Sequence, residues 1–60
     1  MIEVQNEVLG IIATLGIASS LEICKKSEYV YSDIKKALRV LYRSGVLDTD
    51  DDGSYFIVSK

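Results

Sequence analysis

The apolar positions of the chain read as helix, helix, helix and hairpin. Val4, Val8, Ile11, Ile12 and Leu15 recur at three- and four-residue steps, which puts them on one face of a helix stopped by Gly16. Ile2, Leu9 and Ala13 make a second apolar strip on nearly the opposite side, leaving a narrow polar stripe of Glu3, Glu7 and Thr14. A helix apolar on two sides is either deeply buried or used for association. In so small a chain the pattern favours association, so Ile2, Leu9 and Ala13 are the expected interface of a homodimer.

Ser19 or Ser20 is suited to cap a second helix, because a hydroxyl satisfies amides left free in the first turn. Leu21, Ile23 and Cys24 supply its apolar positions, and Lys25 and Lys26 sit where the helix dipole favours cations. A break is expected at residues 27–30. The spacing then predicts a third helix over about residues 32–44, closed by Gly45. Its inner face is Ile34, Ala37, Leu38 and Leu41; its outer face presents Ser32, Lys35, Lys36, Arg39 and Arg43. After Gly45 the period shortens. Val46-Leu47-Asp48-Thr49, a turn at Asp50-Asp51-Asp52-Gly53, and Ser54-Tyr55-Phe56-Ile57-Val58 read as a hairpin, with Asp-Gly as the turn signal. The expected fold is mostly α with a small two-stranded β-hairpin, one domain over residues 1–60.

Composition narrows what such a domain does. A chain of 60 residues makes a marginal core. Cys24 is the sole cysteine and histidine is absent, so neither a disulfide nor a structural zinc site assists it. Tight packing or self-association is left. The start Met1-Ile2-Glu3-Val4 lacks the basic region of a secretory signal, and the apolar stretch at residues 8–18 is too short to span a bilayer. With the lone cysteine, this suggests a cytoplasmic protein.

The net charge of −2 conceals a partition: residues 1–22 carry −3, residues 23–47 carry +4 and residues 48–60 carry −3. A basic middle in an acidic chain says more about partners than the total does. The stripe Lys35, Lys36, Arg39, Arg43 is either a DNA-contacting face or a solvated or protein-contacting one. Tyr31 and Tyr42 flank it, to stack on a partner or, the favoured reading, to pack against the hairpin as part of the core. Enzymatic chemistry lacks its parts, since there is no histidine, nucleophile elbow or phosphate loop. Cys24 reads as a buried small hydrophobe. Asp48-Thr49-Asp50-Asp51-Asp52-Gly53 matches the opening of a calcium loop, but the closing glutamate would fall at Ser59, so a plain acidic turn is the better reading. No metal, cofactor or small-molecule substrate is expected.

Ser20-Leu21-Glu22-Ile23-Cys24-Lys25-Lys26, with Ile34-Lys35-Lys36-Ala37-Leu38-Arg39-Val40-Leu41-Tyr42-Arg43-Ser44-Gly45-Val46-Leu47, resembles the winged helix-turn-helix superfamily from Ala18 onward. The resemblance implies a second helix that braces the third, and a third that enters a DNA major groove. It implies DNA contacts by Tyr31, Ser32, Lys35, Lys36 and Arg39 near the bases, with Arg43 nearer phosphate, in a small sequence-specific regulator of transcription. Two departures stand out. Glu28 occupies a turn that often holds glycine, and the hairpin tip carries aspartates that the phosphate backbone would repel. The wing therefore points away from DNA, or the partner is a protein docked on the acidic wing or first helix. The Z-DNA-binding branch is not matched: its third-helix tyrosine would fall on Arg39, and tryptophan is absent.

Overall fold

A computed structural model describes residues 2–58. Met1, Ser59 and Lys60 lie outside it, and with them the position at which a calcium loop would have closed. The order is α1 (Ile2–Leu15), β1 (Ile17–Ala18), α2 (Ser20–Lys26), α3 (Tyr31–Arg43), β2 (Leu47–Thr49) and β3 (Tyr55–Ile57). The three helices carry most of the chain, and the strands form one antiparallel sheet in the order β1-β3-β2. The expected hairpin is present, but with a third strand. Ile17 pairs with Phe56 and Ala18 with Tyr55, so the link between the first two helices closes the sheet's far edge.

Each boundary has a local cause. Gly16, at φ 85°, turns the chain out of α1 while its amide still donates to the carbonyl of Ile12. Ser19 caps α2 in a full capping box: its Oγ accepts from the amide of Glu22, and the Glu22 carboxylate accepts from the amide of Ser19. Helix α3 starts at Tyr31, one residue earlier than the spacing suggests, with Val30 as a cap that offers no side-chain hydrogen bond. Its end is a Schellman motif, in which the amide of Val46 donates to Leu41 and that of Gly45 to Tyr42, with Gly45 at φ 82°.

The core is formed by Val4, Val8 and Ile12 of α1, Ala18, Ile23 of α2, Ile34, Ala37, Leu38 and Leu41 of α3, and Leu47 of β2. The inner face expected for α3 is thus buried at every position. Other expectations need correction. Leu15 is 39% exposed, because it is the last residue of α1 and the chain turns away after it. Leu21 is 64% exposed, since the short α2 turns only Ile23 fully inward. Cys24 is half-buried instead of enclosed. Tyr31 and Tyr42, expected in the core, are 42% and 50% exposed. Tyr29 and Tyr55 are the tyrosines that pack against it.

Truncation of Leu38 to alanine should cost about 2–5 kcal/mol, a large share of what a domain this size has. Loss of the capping hydroxyl in Ser19→Ala should cost about 1 kcal/mol. Denaturant unfolding followed by far-ultraviolet circular dichroism checks both, and equal effects of the two changes would mean that α3 is not the centre of the core.

Candidate nucleic-acid interface

Because Ile34, Ala37, Leu38 and Leu41 face inward, the rest of α3 is turned to solvent. Tyr31, Lys35, Arg39 and Tyr42 follow one another at four-, four- and three-residue steps, the spacing of one ridge on a helix surface. Ser32, Lys36 and Arg43 lie beside that ridge. All six residues expected at a DNA contact, Tyr31, Ser32, Lys35, Lys36, Arg39 and Arg43, are exposed and share this side of α3. The phenol oxygen of Tyr31 lies 3.2 Å from Ser20 Oγ, which ties the start of α3 to the start of α2.

The sheet supplies a second wall. Directly opposed residues of an antiparallel pair share a face. Ala18, Tyr55 and Thr49 are therefore on one side of the sheet, and Ile17, Phe56 and Asp48 on the other. The side carrying Ala18 and Leu47 is the core side. At the edge of the core, Tyr55, which packs against it, and Thr49 face α3. Between them and the helix is an open cleft of about 270 Å³ lined by Lys35, Arg39, Tyr42, Thr49 and Tyr55. No sequence pattern marks Thr49 and Tyr55 as part of a site; they join it only through strand register.

The hairpin tip is acidic but locally self-contained. Asp50 Oδ1 accepts from the amides of Asp52 at 3.0 Å and Ser54 at 2.9 Å. The amide of Gly53 donates to the carbonyl of Asp50, with Gly53 at φ 80°. The Asp48 carboxylate accepts from the amide of Thr49. Short polar side chains that bond their own backbone in this way are a turn device. Among the described residues, no three or more of His, Cys, Asp and Glu gather as a metal site would need.

A second acidic region lies where α1 meets the link between α2 and α3. Ser27 Oγ donates to Glu7 Oε2 and accepts from the amide of Tyr29. Burial, then the charges of Glu3, Glu7, Glu28 and Asp33, raise the Tyr29 phenol above its ordinary value of 10.0. Of the residues expected to form a dimer interface, Ile2 and Ala13 are exposed. Leu9 is half-buried and packs against the chain's own core. No helix among the described residues is long and apolar enough to cross a membrane.

Comparison of the chain with models of known families, with curated proteins and with solved structures found no match.

The Tyr29 environment has a consequence at alkaline pH. A phenol whose pKa is raised by folding keeps its proton longer in the native state than in the unfolded chain. Its contribution to stability is whole below about pH 10 and is lost as pH rises through the native value. The difference in phenolate absorbance between the native protein and Tyr29→Phe should therefore develop above pH 10.0. A difference curve centred below that pH would contradict these acidic surroundings.

Proposed function

We propose that the chain is a small winged helix-turn-helix protein that binds double-stranded DNA in a sequence-specific way, with α3 in the major groove. The observation that carries this reading is the division of α3. One side is wholly committed to the core, and the other offers Lys35, Lys36, Arg39 and Arg43 with no apolar role to fulfil. Arginine and lysine match guanine edges and phosphate oxygens, and Tyr31 and Ser32 stand at the end of the helix that enters a groove first. The element order and the hairpin after Gly45 also agree with the superfamily that the sequence resembles. The reading is of a cytoplasmic transcriptional regulator without enzymatic activity.

The aspartate tip constrains the docking. Asp51 and Asp52 are exposed, and DNA phosphates would repel them, so the hairpin tip leans away from the duplex while α3 approaches it. A homodimer through α1 would present two such helices to half-sites one helical turn apart. Ile2 and Ala13 are the free apolar positions for that contact, and Leu9 would take part only at its exposed edge. The same acidic surfaces support the second reading, a protein-interaction module whose partner is basic.

Selection from a random pool of duplex DNA at low and at physiological salt should enrich a defined motif, with affinity falling as salt rises. Arg39→Ala should cost about 1–3 kcal/mol of specific affinity. Asp51→Ala should leave binding unchanged or improved. Absence of binding at low salt, or an Arg39 variant that binds as the parent does, gives the fold to protein docking instead. Sedimentation equilibrium tests the dimer: Ile2→Asp should convert dimer to monomer, and a native chain that stays monomeric at high concentration removes that element of the reading.

A further inference from the structure

The cleft between α3 and the sheet has a chemistry distinct from the rest of the surface. The protein as a whole is acidic, with a net charge of −2, yet the five lining residues include two cations and no carboxylate. Lys35 and Arg39 are one helical turn apart, so both heads can reach a single anion. Tyr42 comes from the helix and Tyr55 from the opposing strand, so phenol rings are supplied by two different elements. Thr49 adds a hydroxyl that both donates and accepts. A volume of about 270 Å³ lies just under the roughly 300–1,000 Å³ usual for small-molecule sites, so the open cleft has room for one small, partly exposed ligand.

We propose that this cleft binds a free mononucleotide, its phosphate held by Lys35 and Arg39 and its base laid against Tyr42 and Tyr55. Two adjacent cations match the charge of a terminal phosphate, and the faces of phenol rings are stacking surfaces that accept any base. On the wing side, the hairpin tip opposes a polyanionic strand. Asp50 follows Thr49 directly, and Asp51 and Asp52 are exposed just beyond it, so a second and third phosphate running along the wing would meet carboxylates. A lone nucleotide has no such continuation. The proposal is independent of DNA binding, although a nucleotide in the cleft would occupy two of the cations that the DNA reading assigns to the groove.

The test is a nuclear magnetic resonance titration of the full chain, labelled with nitrogen-15, at fixed ionic strength. Adenosine 5′-monophosphate should shift the amides of Arg39, Tyr42, Thr49 and Tyr55 along saturable curves. Inorganic phosphate alone and adenosine alone should each bind at least tenfold more weakly. Tyr42→Ala and Arg39→Gln should each weaken the nucleotide at least fivefold. Lys26→Gln, which removes the same charge from the end of α2, should stay within twofold of the parent. Four results would overturn the proposal: no saturable shift at these amides; phosphate binding as tightly as the nucleotide, which reduces the cleft to general attraction of anions; equal losses from Lys26→Gln and Arg39→Gln; or a single-stranded oligoadenylate binding more than tenfold tighter than the mononucleotide, which gives the site to a strand. The variants are checked for native amide dispersion before titration. Because no duplex DNA enters the experiment, failure of the regulator reading leaves its outcome unaffected.

Discussion

The contact between the apolar stripe of α3 and everything around it is the interaction on which the rest of the structure depends. α1, α2 and β2 all pack against α3. Ile34, Ala37 and Leu38 are completely buried and Leu41 nearly so. A chain of this size has room for one such layer and no second core to fall back on. Ala37, the small residue of the stripe, is as fully buried as its larger neighbours. The Schellman turn at Gly45 then fixes where the chain leaves α3, which sets the position of Leu47 and through it the sheet. Placement of the cleft follows from packing and strand register together, with no separate device to hold it.

Much of this was legible in the sequence, and the reasons are physical. The stripe of α3 has an unbroken helical period, charged residues between its apolar positions and a glycine at its end, so its inner and outer faces are fixed by periodicity alone. A serine cap for α2 was legible, but only as Ser19 or Ser20; the reciprocal bonds with Glu22 decide for Ser19. Strand β1 was not legible, because two residues cannot display an alternating period and its existence depends on β3 arriving beside it. The exposure of Tyr31 and Tyr42 was not legible for a related reason. Aromatic residues at the edge of a charged stripe fit either environment, and only the actual width of the core decides between them. Thr49 and Tyr55 entered the cleft through strand register, which a single sequence states weakly.

The charge partition seen along the chain becomes a partition in space. One acidic region gathers Glu3, Glu7, Glu28 and Asp33 about Tyr29. Another occupies the hairpin tip at Asp50, Asp51 and Asp52, where backbone amides satisfy the Asp50 carboxylate. The exposed cations of α3 belong to neither region. Close charges of one sign in a single ridge raise the local concentration of anions even on a protein whose total charge is negative. This is how an acidic chain can present a locally basic surface.

The same division separates stability from binding. None of Lys35, Lys36, Arg39 or Arg43 lies in the core, so their charges sit at the surface without a part in its packing. The apolar residues left outside the core show the opposite situation. Ile2, Leu15, Ile17 and Leu21 remain exposed because a single layer of helices and a short sheet cannot cover them all. Exposed apolar surface costs nothing to the fold already formed, but its burial against another molecule would add stability that a small core lacks.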